Sequence, residues 1–363
     1  MSRLRNKVYY RVKPFIPQSL RTALRRRLAL RLRSGVADVW PIMPGSERPP
    51  ENWPGWPGGK KLAVVLTHDV EGQAGLDKCR DLMRLELELG FRSSFNFIPE
   101  GDYEVPRELR EQLTQNGFEV GIHDLKHDGR LFASRREFSQ RATQINRYLA
   151  EWGAVGFRAA FMLNKRDWLH ELNIEYDTST FDTDPFEPEP EGRHTIFPFW
   201  VPAPTAQRSD PPMDRFAVAK IRSADGRIRR GENQKSDPPS DASTIHGSRV
   251  TGHDSHQGYV ELPYTLPQDF TLFLLFREQT IDIWRRKLDW IAQHGGMALV
   301  DVHPDYLCFD GSMPGPRLYP ATRYKSFLEY VRRQYDGAFW NVTPREVAQF
   351  CARVRKASAA SEG

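Results

Sequence analysis

Cysteine is scarce in this chain: Cys79, Cys308 and Cys351 are its three thiols among 363 residues. The number is odd and the spacing wide, so neither a disulfide framework nor a CxxC metal site can be built from them. That usage suits a reducing compartment. Long apolar runs are missing as well. The longest clean one, residues 270–276, falls far short of the ~20 residues that cross a bilayer, so no membrane-spanning helix is expected. Hydrophobic residues still make up 39% of the chain and aromatics 12%. That is enough to bury a sizeable core, which excludes a wholly disordered protein.

Acid is absent from one end. Residues 1–37 hold eleven of the 52 Lys and Arg and no Asp or Glu, leaving 41 bases against 47 acids, a net −6, from Asp38 onward. The overall +5 is therefore a basic arm on a mildly acidic body, and the body makes no case for nucleic-acid binding. Within the arm, Pro17-Gln18-Ser19 offers a helix start and Gly35 a stop. Leu20, Ala23, Leu24, Leu28 and Leu32 recur between them at helical spacing, with Arg21, Arg25, Arg26 and Arg33 on other faces. Such a helix can lie on an anionic membrane surface, giving the arm a peripheral membrane contact. The plainer alternative is an arm packed on its own acidic body.

Residues 38–59, rich in Pro, Gly and Trp, read as an irregular linker. From Lys60 strands and helices alternate. Strands are predicted over 62–67, 91–98, 117–122, 155–159, 297–302 and 338–342. Helices are predicted over 76–89, 106–116, 134–152, 281–294 and 321–335, with a last one from Pro344. That rhythm means parallel pairing and an α/β fold. Residues 203–258 break it, being Pro-, Ser-, Asp- and Arg-rich without periodicity, and read as a disordered insertion or a mobile lid. His246, His253 and His256 within it read as solvent-exposed side chains. The domain plan is thus an arm over 1–37, a linker over 38–59, a catalytic domain over 60–355 and a tail over 356–363. Without the insertion, the 60–355 body approaches the ~250 residues of one β/α barrel.

In parallel α/β folds the working residues gather where strands end. Three predicted strand ends here carry imidazoles and carboxylates: Thr67-His68-Asp69-Val70-Glu71, His123-Asp124-Leu125-Lys126-His127, and His303-Pro304-Asp305. A fourth carries Arg158. Such groups are costly to bury, so their recurrence at one kind of position points to a shared site. His123 and His127 are four apart, and one helical turn would aim both rings the same way, as chelation requires. Asp69 and Glu71 place two carboxylates together, one able to bind metal while the other stays free as a base.

These four segments together resemble the motifs of the polysaccharide deacetylases, the NodB-homology or family 4-like carbohydrate esterases. Thr67-His68-Asp69-Val70-Glu71 is similar to a T-x-D-V-D/E variant of the first motif, and His123 with His127 to the H-x-x-x-H second. Arg158-Ala159-Ala160-Phe161 resembles the third, and Val300-Asp301-Val302-His303 the last. The resemblance spans the body from about Lys60 to the final helix and leaves out the arm and the insertion. The chain departs from the family pattern in having Glu71 for Asp, Ala160 for Pro and Phe161 for Tyr. The fourth motif is blurred, with Asp177, Asp182 and Asp184 competing for one role; Asp177 is favoured as a supporting partner behind the site, and an Asp of the 177–184 segment is expected to hold His303.

The resemblance implies a distorted (β/α) barrel of the NodB type and a metal-dependent hydrolase that removes an N-acetyl group from an amino sugar. It assigns Glu71, His123 and His127 to one divalent ion, Zn²⁺ by analogy. Asp69 becomes the general base, Arg158 its orienting partner and His303 the general acid. An N–H near Phe161 would meet the oxyanion, and Asp177, Asp182 and His68 are candidates for supporting or substrate contacts. A carbohydrate substrate is expected, as an intracellular glycan precursor, with cytoplasmic, membrane-associated placement. If the arm touches membrane, a lipid-linked precursor leads. Two alternatives stand beside this reading: a same-fold hydrolase of a small non-sugar amide, and a non-catalytic glycan-binding or scaffold protein.

Overall fold

The computed structural model describes residues 18–204, 258–311 and 315–361. At its centre is β1 (Leu62–Val70), all nine residues of which are buried. A strand hidden on both faces is what a continuous run of Leu, Ala and Val dictates in a parallel sheet. On one edge β1 pairs with β8 (Met297–Asp301). On the other it meets β11 (Phe339–Asn341) near its start and β2 (Ser94–Phe97) near its end. The sheet continues in parallel through β3 (Glu119–His123), β4 (Gly156–Arg158), β5 (Tyr176–Asp177) and β7 (Gly258–Glu261), and ends on β6 (Phe199–Pro202), which runs antiparallel to β7. A two-stranded pair, β9 (Leu307–Cys308) with β10 (Tyr319–Pro320), lies apart.

The sheet curls until its far side returns to β8. Just past β7, the Thr265 and Leu266 N–H groups donate to Leu299 O at 3.0 Å, and the Thr265 hydroxyl donates to Met297 O at 2.7 Å. The α/β barrel-like architecture expected from the sequence is therefore present, with parallel strands inside and helices outside.

The α-helices of the described residues, in chain order, are α1 (Gln18–Arg33), α2 (Gln73–Leu76), α3 (Cys79–Glu88), α4 (Arg107–Gln115), α5 (Arg135–Trp152), α6 (Arg166–Leu169), α7 (Asp282–His294), α8 (Ala321–Tyr335) and α9 (Pro344–Ser361). α5 shows why these segments are helical. Ser134 caps its start by accepting from the Glu137 N–H at 3.1 Å, Phe138, Ala142, Ile145 and Leu149 are buried at helical spacing, and Gly153 ends it at φ 64°. Phe270–Phe276, the apolar run noted in the sequence, forms a π-helical turn with Asp269 capping it.

Three expectations change. The first strand was expected over 62–67 but runs to Val70, because β2 pairs with residues 67–70 and draws the polar end of the motif into the sheet. The helix expected over 76–89 is α3, beginning at Cys79, and a separate one-turn helix, α2, ends at Leu76. Strands β5, β6 and β7 were not anticipated, being only two to four residues long. The 203–258 stretch, with its three histidines, lies almost wholly outside the described residues. The linker crosses the body: Trp40 is buried edge-on against Phe186 and Phe276, and Trp56 Nε1 donates to Gly295 O at 2.7 Å.

Candidate active site

Asp69 sits inside β1, and three elements hold it. Asn96 on β2 donates to Asp69 Oδ1 at 2.9 Å. Gly121, opposite Asn96 on β3, makes this contact feasible, since a Cβ there would stand 2.2 Å from Asn96 Oδ1. Arg158, the last residue of β4, places Nη1 3.5 Å from Asp69 Oδ2, and His123 Nδ1 lies 3.8 Å from the same oxygen. Burial would raise this carboxyl, but Arg158, His123, His303 and the Asn96 bond together outweigh it, and the group falls to about 2. Asp69 is therefore a carboxylate at any working pH.

Glu71, His123 and His127 converge beside it, their ligating atoms all within 4.8 Å of one another. His123 ends β3, and the chain then turns through Asp124, which holds φ 59°. The two rings come together at 5.2 Å through this turn, not through the helical turn the spacing suggested. His123 Nδ1 lies 3.2 Å from Arg158 O, so that nitrogen donates and Nε2 keeps its lone pair. Nε2 is buried without a hydrogen-bond partner, and burial pushes the ring down to about 4, hence neutral. A buried, neutral, unpartnered imidazole nitrogen aimed at a carboxylate and a second imidazole fits a divalent cation. Glu71 Oε1 meanwhile lies 3.2 Å from His127 Nε2, and Tyr306 donates to Glu71 Oε2 at 2.7 Å. Asp305 accepts from the Glu71 N–H at 2.9 Å, in space left by Gly75, where a Cβ would stand 2.1 Å from Asp305 Oδ2.

A second trio, Asp69, Asp301 and His303, is equally tight. It already holds a cationic group from outside it: Arg158 Nη1 pairs with Asp301 Oδ2 at 2.8 Å, and His303 Nε2, within the trio, lies 3.6 Å from the same oxygen. These charges fill the role an ion would take, so Glu71, His123 and His127 are the better metal set.

His303 follows β8, and its partner is none of the aspartates expected from the 177–184 segment. Asp269, at the head of the π-helical turn, accepts from His303 Nδ1 at 2.8 Å and from its backbone N–H at 2.9 Å, while Tyr319 donates to Asp269 Oδ2 at 2.9 Å. Burial opposes charge on His303, but Asp269 and Asp301 raise it well above the ordinary imidazole value. Asp177 instead accepts from the Ser179 hydroxyl at 2.6 Å, and Ser179 Oγ accepts from the Ala159 N–H at 2.7 Å. It braces the loop after β4, where Phe161 and Met162 adopt φ 59° and 53° and the Phe161 ring packs 4.3 Å from His127. Asp182 is spent on a buried ion pair with Lys287 of α7, and Asp184 accepts from Tyr264 at 2.8 Å. His68 points away from the cluster into the barrel wall, with Nδ1 2.9 Å from Val302 O and Nε2 2.8 Å from Glu86 Oε1. Burial alone would discharge its ring, but Glu86 outweighs that and raises it.

The structure thus gathers Asp69, Glu71, His123, His127, Arg158 and His303, with Phe161 against them. It adds Asn96, Asp269, Asp301 and Tyr306, which sequence reasoning missed. Asp301 stood in the quoted motif without a role. Asp269, an Asp directly before an apolar run, bore the mark of a cap and nothing more.

No family model matches the chain, and no curated protein matches it. Among solved structures, a presumed polysaccharide deacetylase from Mycobacterium smegmatis superposes with a TM-score of 0.52 at 17% identity, covering 83% of this chain and 93% of that one. The peptidoglycan deacetylase PdaC from Bacillus subtilis gives 0.40 at 10% identity over 85% and 96% of the two chains. The chitin deacetylase from Colletotrichum lindemuthianum gives 0.28 at 15% over 33% and 56%. Only the first is close enough to carry weight, and at that identity its weight is on architecture. On that ground the chain has the fold of the polysaccharide deacetylases, the NodB-type barrel that its four motifs resemble.

Proposed function

We propose that this protein is a metal-dependent hydrolase that removes an N-acetyl group from an amino sugar of a glycan or glycan precursor. The observation that carries the reading is the buried, unpartnered His123 Nε2 facing Glu71 and His127, with one ionised and one cationic group alongside. Glu71, His123 and His127 would hold one divalent ion, with zinc as the first candidate for two imidazoles and a carboxylate. Such an ion lowers the pKa of water and polarises a carbonyl.

That chemistry matters because of Asp69. The cations that keep it ionised also make it a weak base, so it can take a proton only from an acidified water. Asp69 accepts that proton as the water oxygen attacks the acetyl carbonyl, and Arg158 with Asn96 fixes the direction of its lone pairs. His303 gives its proton to the amide nitrogen as the C–N bond breaks, and Asp269 keeps the ring charged and oriented until then. The loop over 159–162 would meet the oxyanion, with an N–H near Phe161 as the donor. Acetate and a free amino group result. An acetate-release assay on N-acetylated oligosaccharides, with and without chelator, tests this: release that chelator abolishes and zinc restores is expected. Metal-independent release would rule out the assigned roles, and no release from any N-acetyl sugar would favour the small-amide or binding alternatives.

A further inference from the structure

Helix α1 sits on the body the wrong way round for a helix meant to be covered by its own fold. Ala29 is buried, and Arg25 and Arg33 on the same side lie over the rings of Phe270 and Phe276 at 4.8 and 4.6 Å, with Arg33 also pairing Glu278 at 2.6 Å. The arginines thus face inward, held by ring faces and one carboxylate. The leucines face out. Leu24, Leu28, Leu30 and Leu32 are 55%, 53%, 43% and 39% exposed, and among the described residues they are the large apolar side chains that stand exposed. Arg27 and Arg31 are exposed among them. The helix contains no acid.

An apolar face rimmed with arginine asks for an apolar and anionic partner. Neither of the two long segments outside the described residues carries an excess of acid. Residues 1–17 carry five bases and no acid, and residues 205–257 carry nine bases and seven acids, so each is net basic, as the helix is. We propose that the exposed face of α1 docks on an anionic membrane surface. Leu24 and Leu28 enter the headgroup boundary, and Arg27 and Arg31 meet phosphate oxygens beside them. No helix among the described residues is long and apolar enough to cross a membrane, so this contact is peripheral. Its inner face rests on the Phe270–Phe276 turn, whose capping residue Asp269 holds His303. The docked helix therefore adjoins an element of the candidate site. The proposal itself stands on the helix alone and does not need the hydrolase reading.

The test is co-sedimentation of the full-length chain with vesicles of phosphatidylcholine alone or mixed with phosphatidylglycerol. The expected result is capture by the anionic vesicles, little capture by the neutral ones, and weakening with added salt. Arg27→Gln and Arg31→Gln should each weaken capture about fivefold, the effect of one basic residue near a charged surface. Leu24→Gln/Leu28→Gln should weaken it at least as much while leaving the melting temperature unchanged, because both side chains are already exposed. Equal capture of the leucine double variant, or none of the wild type, would overturn the proposal. So would a dimer in light scattering that the leucine substitutions dissociate, since a second copy would then be the cover.

Discussion

In the proposed reaction Asp69 faces opposed demands: it must be ionised inside a barrel, and it must still accept a proton. Arg158, His123, His303 and Asn96 meet the first demand and bring it to about 2. Replacing it with Asn keeps the shape and removes the acceptor. Asp69→Asn should retain metal and lose turnover by about 10²–10⁴, the usual weight of a general base; metal analysis and acetate release on one preparation check both halves. At His303 the controlling carboxylate is Asp269. Asp269→Asn takes away the charge that raises the ring, so the alkaline limb of the kcat–pH profile should move to lower pH. An unmoved limb would show that another group supplies the proton. The residues that the structure gathers at the candidate site were legible as residue types at strand ends. The partner of His303 was not, because Asp269 precedes it by 34 residues and only tertiary packing joins them.

At the level of elements, glycines show how strand spacing serves the chemistry. Asn96 can reach Asp69 only because its neighbour on β3 has no side chain. Gly121→Ala should destabilise the fold by about 1–3 kcal/mol through overpacking, read as a lower melting temperature, and should cut turnover as Asn96 is displaced. Adding Asn96→Ala should restore the melting temperature but not turnover; recovery of both would mean that Asn96 does nothing for Asp69. Long, periodic, capped elements such as α5 were readable along the chain, since Ser134, Gly153 and the buried spacing sit within one segment. β5 and β7 were not. Tyr176-Asp177 becomes a strand because β4 and β7 pair with it, and a two-residue strand leaves no period to read.

For the molecule as a whole, buried carboxyls away from the cluster of ligands set a pH dependence of stability. Burial, with Glu187 close by, raises Asp184 from its ordinary 3.8 to about 8 despite the Tyr264 hydroxyl it accepts. A carboxyl raised on folding binds its proton more tightly in the native state. Its contribution is therefore full below the unfolded value and is lost as pH rises toward about 8. Denaturant midpoints of the wild type should fall across that window relative to Asp184→Asn, which has no proton to lose; parallel curves would contradict the assignment. The barrel itself was legible from alternating strands and helices. The reversed α1, leucines outward and arginines on aromatic rings, was not, because the sequence shows which residues share a face but not which face the body takes.

The central claim is that Glu71, His123 and His127 form one metal site. Elemental analysis measures it most directly, on wild type and His123→Ala/His127→Ala purified without chelator, incubated with zinc and desalted. About one ion per chain is expected in the wild type and none in the double variant. No ion in the wild type, or an equal amount in both, would contradict it.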